Sequence, residues 1–221
     1  MQRSFDIIFS SIALVLLSPF FLLLMLILRV TGEGEIFFRQ NRVGLGGKYF
    51  KLLKFATILK DSPNIGTGTL TVKDDPRVLA IGRILRKTKI NELPQLINIF
   101  NGDMSIIGPR PQTKRCFNAF PPSSQNEIIK VRPGLSGIGS IIFRDEENMM
   151  YANNNPDKFY NEIVMPYKGS LEDWYVSHQN IASYFSLISL TILVVLGFGS
   201  DLVWKLFKDL PPPPEELKLW I

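Results

Sequence analysis

The chain has 221 residues, a formal net charge of +5 and a single cysteine, Cys116. This length suits one domain with a membrane element and is enough to bury a core. The basic excess favours anionic partners such as phospholipids or phosphate-bearing substrates. The basic tracts and repeated aromatic pattern of a nucleic-acid binder are missing. One cysteine excludes an intrachain disulfide, so nothing indicates an oxidising compartment.

The N-terminal segment at residues 7 to 28 is uncharged and mostly apolar. A straight helix of this length reaches across a hydrocarbon core of about 30 Å. Pro19 removes a backbone hydrogen bond near the middle of the segment, and Ser18 is placed to satisfy a carbonyl freed by that loss. The residues allow two arrangements, a kinked span and a re-entrant hairpin whose arms enter and leave the same leaflet. A signal peptide is disfavoured, because no small-x-small cleavage site follows.

From residue 31 the sequence changes to a soluble α/β pattern. Short strands are predicted at 35–40 and 49–55, joined by the turn-forming Gly44, Gly46 and Gly47 as a hairpin. Residues 60–76 read as a long loop. An amphipathic helix is predicted over 77–87, with its core-facing residues at Val78, Leu79, Ile81 and Leu85.

A second helix is predicted to begin at Asn91, with Pro94 tolerated in its first turn and Asn101-Gly102 at its end. Its apolar face would carry Leu93, Leu96, Ile97 and Phe100. Asn91 has two interpretations, a helix N-cap and a position in the chemistry. Asparagine is among the best N-cap residues, and Glu92 gains from the positive end of the helix dipole.

Residues 86 to 111 carry the candidate chemistry. The start of a helix at Asn91 would offer N–H groups to an anion, and Arg86 lies one short loop away. Glu92 supplies a hard oxygen ligand for Mg²⁺ bridging phosphates. Farther along the chain, Pro109 and Pro111 frame the guanidinium of Arg110 in a rigid loop suited to clamp a diphosphate. Phosphoryl transfer needs mainly positioning and positive charge, and these residues supply both.

Three stretches carry a resemblance to a known family: INELPQLINIFNGDMSIIGPRP at 90–111, the upstream FFRQNRVG and the downstream VRPGLSGIGS. Together they strongly resemble the bacterial sugar transferases, which are monotopic phosphoglycosyl transferases. The resemblance implies an α/β fold with a re-entrant helix hairpin at 1–30, broken at Ser18-Pro19. It implies a catalytic domain at 31–180 on the cytoplasmic face of the bacterial inner membrane. Interfacial amphipathic helices and a tail would follow at 181–221.

The resemblance also implies a reaction. These enzymes transfer a phosphosugar from a UDP-sugar to undecaprenyl phosphate, release UMP, and so prime the assembly of O-antigen, capsule or exopolysaccharide. The implied partners are the UDP-sugar, the polyprenyl phosphate, membrane lipids and Mg²⁺, without nucleic acid. Whether the chain forms a homo-oligomer is left open.

The family uses an Asp-Glu dyad, in which the aspartate takes the phosphosugar and the glutamate binds Mg²⁺. Position by position, Glu92 falls on the glutamate, Arg86 and Arg110 fall on phosphate-handling arginines, and Asn91 falls on the nucleophile. The last match is a departure, because a neutral carboxamide is a far poorer nucleophile than a carboxylate.

Two hypotheses follow from the asparagine. In one, the enzyme uses direct transfer or another carboxylate. In the other, a catalytically impaired or non-catalytic protein still binds nucleotide-sugar or polyprenyl phosphate. The residues after Phe143-Arg144 depart from the tryptophan-containing stretch common in the family, and they are expected to shape the sugar pocket, to supply a second acidic site or to form a solvated face. The candidate carboxylates are Asp103, Asp145, Glu146 and Glu147.

The C-terminal part returns to apolar composition at residues 181–198. This run is just long enough for a second span, but its Ser and Thr residues and the resemblance favour a helix packed on the domain and the interface. Residues 201–210 then predict an interfacial helix, stopped by the prolines at 211–214. Its apolar face would carry Val203, Leu206, Phe207 and Leu210.

Overall fold

The protein is represented by a computed structural model that describes residues 1–31, 33–60, 62, 75–144, 146–151 and 155–221. The chain is a mixed helix and strand protein and divides into two compact units. The first unit combines Met1–Asp6, Arg42–Phe50 and Gly102–Ile221; the second combines Ile7–Asn41 and Lys51–Asn101. Most of the predicted loop at 60–76 lies outside the described residues. The functional division of the chain at residues 30 and 180 stays a prediction.

The elements up to residue 101 follow the predicted order with shifted ends. They are α1 (Gln2–Val30), β1 (Phe37–Val43), β2 (Tyr49–Phe55), α2 (Ala80–Lys87) and α3 (Gln95–Asn101). β1 and β2 pair as the predicted hairpin. Gly46 and Gly47 form its turn with φ of 65° and 73°, a backbone region that glycine adopts without strain.

Helix α1 is long and apolar enough to cross a membrane. Its most apolar window has a mean hydropathy of 2.8, and only 17% of that window is buried within the protein. The helix is continuous through Ser18 and Pro19, so its hydrogen-bonding pattern does not show the predicted break into two arms. The re-entrant path therefore stays a prediction.

The predicted local repair at Pro19 is confirmed. Pro19 has no N–H to offer the carbonyl of Val15, four residues earlier. The Ser18 hydroxyl instead donates to that carbonyl oxygen at 2.8 Å. The helix can therefore continue past the proline, because the freed acceptor keeps a hydrogen bond.

The core of the second unit joins the end of α1 to β2 and α2. Leu24, Leu28, Phe55 and Leu85 are buried together. The ring of Phe55 meets Phe21 edge-on at 5.5 Å between centroids, an arrangement that aromatic pairs favour. This packing fixes β2 and α2, which carry the candidate site of this unit.

The first unit is built around a short parallel pair, β3 (Ser105–Ile107) and β4 (Gly134–Ser136), with Ser105 opposite Gly134. Helices pack around this strand pair and supply most of the buried apolar residues of the unit. They are α4 (Lys114–Phe117), α5 (Pro122–Ile128), α6 (Ile138–Ile142), α7 (Glu146–Tyr151), α8 (Pro156–Phe159), α9 (Met165–Ser177), α10 (Ile181–Val195) and α11 (Leu202–Leu206).

The C-terminal helices pack on the protein. α10 buries Tyr184 and Leu187 in the core of the first unit, which confirms a helix packed on the domain. The predicted helix over 201–210 is wrong in extent, and its interfacial position stays a prediction. α11 ends at Leu206, and Val203 and Leu210 are buried among the core residues. At the end of α11, Phe207 leaves the helical conformation, with ψ of 85°.

Candidate functional site

A close helix-to-strand approach positions Arg86 in the second unit. A Cβ atom at Gly82 would lie 2.2 Å from the carbonyl oxygen of Thr57, so only glycine lets α2 approach the segment after β2 this closely. Arg86 follows one turn later on the same helix face. Its Nε donates to the buried Thr57 hydroxyl at 3.0 Å. This hydrogen bond fixes the position of the guanidinium group at its Nε atom.

Glu92 is held by a lysine that the sequence analysis missed. Lys54 on β2 places its Nζ 2.8 Å from Oε1 of Glu92, and the two side chains are only 20% and 14% exposed. The available signal was a lysine between the apolar residues Leu53 and Phe55 near the end of the strand. The ion pair fixes the direction of the Glu92 carboxylate.

The structure corrects the predicted helix start at Asn91. Ile90–Glu92 form a 3₁₀ turn, and α3 begins only at Gln95. The N–H groups of Glu92 and Leu93 are consumed by the carbonyls of Lys89 and Ile90, so the predicted anion site at a helix start is wrong.

Asn91 is not an N-cap. It is buried, and its Oδ1, the atom that would cap a helix, has no hydrogen-bond partner among the described residues. Buried polar atoms are usually paired, so an unpaired one marks a place where a water, an ion or a ligand can bind. Asn91 therefore has a buried carboxamide oxygen, and it directly precedes Glu92, the residue that pairs with Lys54.

The later start of α3 also changes which residues it buries. Leu96 and Ile99 face the interior, whereas Phe100, predicted for the apolar face, is 47% exposed. Asn98 fixes this orientation, because its Nδ2 donates to the carbonyl of Lys51 and its Oδ1 accepts from the N–H of Leu53. One side chain thus satisfies two backbone groups along β2 and locks α3 against the strand that carries Lys54.

The proline-framed loop at 108–111 lies in the first unit. Gly108 donates its N–H to Ser136, and Gly134 donates its N–H to Pro109, which extends the β3–β4 pairing. A Cβ atom at Gly134 would lie 2.1 Å from the Gly108 nitrogen, so the two backbones touch. Pro109 and Pro111 are buried, whereas Arg110 is exposed. The loop is a rigid backbone platform that presents one guanidinium.

The other candidate acids differ in their surroundings. Glu146 accepts from Lys168 at 2.6 Å, and Lys168 also sits 4.8 Å from the ring centroid of Phe143. Asp103 lies in the turn before β3 and is partly exposed. Asp145 and the side chain of Glu147 lie outside the described part of the chain. Glu146 is therefore held in a structural ion pair.

The described residues contain no cluster of three or more His, Cys, Asp or Glu side chains that could enclose a metal ion. Mg²⁺ does not need such a cage, since it is commonly held by one or two carboxylates together with substrate phosphates. Glu92 fits that mode of binding, next to Asn91, whose Oδ1 has no hydrogen-bond partner among the residues that the structure describes. A role for Glu92 as a metal ligand stays a prediction.

An apolar helix long enough to cross a membrane, followed by mixed helix and strand units, is the architecture of a membrane-associated protein. Comparison with known proteins makes the class specific. The sequence model for the bacterial sugar transferase family matches residues 1–198, and the chain belongs to that family.

Relatives with established names support the assignment. The exopolysaccharide production protein ExoY of Sinorhizobium fredii is 36% identical over 159 residues, which cover 66% of this chain and 70% of the relative. The UDP-glucose:undecaprenyl-phosphate glucose-1-phosphate transferase of Escherichia coli is 35% identical over 143 residues, covering 64% of this chain and 31% of the relative. The UDP-N-acetylgalactosamine-undecaprenyl-phosphate N-acetylgalactosaminephosphotransferase of Aeromonas hydrophila is also 35% identical over 143 residues, covering 64% and 34%.

Proposed function

We propose that this protein transfers a phosphosugar from a UDP-sugar to undecaprenyl phosphate, releases UMP, and so begins the assembly of an exopolysaccharide, capsule or O-antigen. The names of the relatives support these substrates. The observation that carries the proposal is the Lys54–Glu92 ion pair beside a buried Asn91 whose Oδ1 has no hydrogen-bond partner within the described parts of the chain. A buried polar group of this kind can be satisfied by a ligand, an ion or a water, and the proposal assigns it to the substrate.

Each site residue has a proposed role. Arg86, braced on Thr57, and Arg110, presented by its proline-framed loop, bind the diphosphate of the UDP-sugar. Glu92 holds Mg²⁺ in a direction set by Lys54. The metal would neutralise charge that develops on the phosphates. Asn91 lies where the phosphosugar is transferred.

We propose direct transfer as the chemistry at Asn91. A carboxamide has no anionic oxygen to form a covalent phosphosugar intermediate. An oxygen of the lipid phosphate would instead attack the β-phosphorus of the UDP-sugar. The bond from that phosphorus to the bridging oxygen breaks, and UMP leaves with the electron pair. The Asn91 Oδ1 would accept a hydrogen bond from a sugar hydroxyl or from a bound water.

Labelled UMP tests the chemistry. Purified wild-type protein, mixed with a panel of UDP-sugars, Mg²⁺ and undecaprenyl phosphate, is expected to release UMP. Without the lipid it should not exchange labelled UMP into UDP-sugar, because exchange requires an enzyme-bound phosphosugar. Asn91→Asp should gain this exchange. Asn118→Asp, the same change at an exposed position, is the control and should behave as wild type.

Two outcomes contradict parts of the proposal. Exchange of UMP by the wild type without lipid would overturn direct transfer and point to another carboxylate, such as Asp103 or Glu146. No UMP release by the wild type with any sugar, but release after Asn91→Asp, would overturn the native-enzyme proposal. The protein would then be a non-catalytic binder of nucleotide-sugar or polyprenyl phosphate.

The membrane arrangement belongs to the same proposal. Residues 1–30 would form the re-entrant hairpin, residues 31–180 the catalytic domain on the cytoplasmic face of the bacterial inner membrane, and residues 181–221 a C-terminal region at the interface. The exposed apolar surface of α1 supports a membrane position. Exposed Ile192, Val195 and Leu196 at the end of α10 support contact with lipid there.

A further inference from the structure

Glu172 is a buried carboxylate that the proposed chemistry does not use. It lies on α9, is 3% exposed, and is surrounded on its own helix by the buried Leu171 and Tyr175. Its Oε2 has no hydrogen-bond partner among the described residues. A buried, half-satisfied carboxylate costs stability, so its presence calls for a role.

The surrounding backbone is shaped around this carboxylate. A Cβ atom at Gly139 on α6 would lie 2.5 Å from the Oε1 of Glu172, so a side chain at that position would push the carboxylate away. On its other side, the backbone N–H of Arg110 donates a hydrogen bond to Glu172. Two residues earlier, Gly108 is confined, because a Cβ atom there would lie 2.4 Å from the carbonyl oxygen of Arg132. The proline-framed loop is thus fixed at residues 108 and 110.

The surroundings of Glu172 place its ionisation near neutral pH. Burial raises its pKa to about 7, although the charge of Lys168 and the Arg110 backbone bond both lower it; the neighbouring Asp173 raises it. Lys168 is shared with Glu146, which it contacts at 2.6 Å, so it compensates the Glu172 charge only in part. A change of protonation near neutral pH therefore alters the strength of the bond to Arg110, since an ionised carboxylate is the stronger acceptor.

We propose that Glu172 is a positioning residue that fixes the backbone of Arg110, so that the affinity of the site for a nucleotide diphosphate rises when Glu172 ionises. The inference rests on the proposed function, in which the Arg110 guanidinium binds the diphosphate. Glu172 itself touches the loop and not the substrate. Protonation of Glu172 weakens the bond and lets the loop depart from its binding geometry.

Hydrogen exchange at the Arg110 amide tests the positioning contact without any need for turnover. Protection of this amide in the full-length protein, corrected for the intrinsic pH dependence of exchange, should rise roughly fivefold between pH 6 and pH 8. Glu172→Gln keeps the shape and an acceptor but cannot ionise, so its protection should stay constant. Glu162→Gln, at an exposed carboxylate of the preceding helical segment, is the matched control and should follow wild type.

Binding of UDP-glucose tests the consequence for the ligand. Its diphosphate is esterified at both ends and does not titrate in this range. The wild-type affinity should rise several-fold from pH 6 to pH 8, and the affinity of Glu172→Gln should be flat. In steady-state assays of the wild type, the same pH change should alter the KM for UDP-glucose and leave kcat nearly unaltered.

The outcomes separate the two proposals. If the protection of the Arg110 amide in the wild type does not change with pH, the positioning role is overturned. This measurement needs only the wild type, so it remains valid even if Glu172→Gln does not fold. Identical pH profiles of UDP-glucose affinity in wild type and Glu172→Gln also overturn it. Absence of UMP release alone overturns the proposed function and leaves the exchange result standing.

Discussion

The Nζ atom of Lys54 lies 2.8 Å from the Oε1 atom of Glu92, and the chain separates the two residues by 38 positions. The ion pair joins β2 to the 3₁₀ turn that carries Asn91. Most of each side chain is buried. The pair is therefore screened less than a surface ion pair, and it carries part of the desolvation cost of a buried one.

Replacing Lys54 tests the pair directly. Lys54→Met should lower the free energy of unfolding by about 1–2 kcal/mol, because the partly buried Glu92 carboxylate loses its ion pair with Lys54. UMP release should fall about tenfold as Glu92 loses its fixed direction. Denaturant titration and the UMP assay measure the two effects. Lys51→Met, at an exposed position on the same strand, should change neither. Equal stability of Lys54→Met and Lys51→Met would contradict the role of the pair.

The helix approach at Gly82 gives a second prediction. Gly82→Ala places a methyl group against the Thr57 carbonyl, so α2 must move and Arg86 must leave the Thr57 hydroxyl. Overpacking of this kind should cost about 1–3 kcal/mol and weaken UDP-sugar binding. Denaturant titration and calorimetry of UDP-glucose binding measure these losses. Arg83→Ala, on the exposed face of the same helix, is the control. Unchanged binding by Gly82→Ala would show that Arg86 does not act from this position.

The raised pKa of Glu172 predicts how the unfolding free energy depends on pH. Its pKa is about 7 in the folded protein, above the ordinary 4.5, so the native state binds a proton more tightly than the unfolded state. Its contribution to stability is complete below pH 4.5 and is lost as the pH rises through about 7. The shift corresponds to about 3 kcal/mol.

The difference in unfolding free energy between wild type and Glu172→Gln isolates this contribution. It should move by about 3 kcal/mol in favour of Glu172→Gln between pH 4.5 and pH 8, and it should be flat above pH 8. Urea titration across this range provides the measurement. A constant difference would show that Glu172 keeps one protonation state throughout.

The re-entrant hairpin predicts the position of both ends of α1. Single-cysteine variants Arg3→Cys and Arg39→Cys, each in a Cys116→Ser background, should both resist a membrane-impermeant thiol reagent added to intact cells. Both should react after the cells are opened. Labelling of one position from outside would establish a span in place of a hairpin.

Ser18 supplies a related test of the proline. Ser18→Ala leaves the Val15 carbonyl without the hydroxyl that replaces the missing N–H of Pro19. The variant should lose about 1 kcal/mol of stability, read as a lower unfolding temperature in detergent or nanodiscs. Ser11→Ala, which removes a hydroxyl bond to Ile7 where no proline follows, is the matched control and should lose less. Equal losses would show that Ser18 has no special role at the proline.

The sequence by itself determined the apolar N-terminal helix, the hairpin with its glycine turn, the order of the helices up to Asn101 and the family. These features depend on local composition, on periodicity and on motifs that lie within a few residues of each other. The Ser18 bond to Val15 was predictable for the same reason, since both partners lie within one helical turn.

The tertiary structure decided which of these residues meet. Lys54 reaches Glu92, Thr57 braces Arg86, and Glu172 holds Arg110 through contacts between residues far apart in the chain. The predicted N-cap at Asn91 failed for a related reason. Helix propensity describes an isolated segment, whereas Asn98 ties α3 to β2. The Asn91 Oδ1 stays buried, with no hydrogen-bond partner in the part of the chain that the structure describes. Residue type made Asn91 a good cap, and burial made it a candidate ligand-binding position.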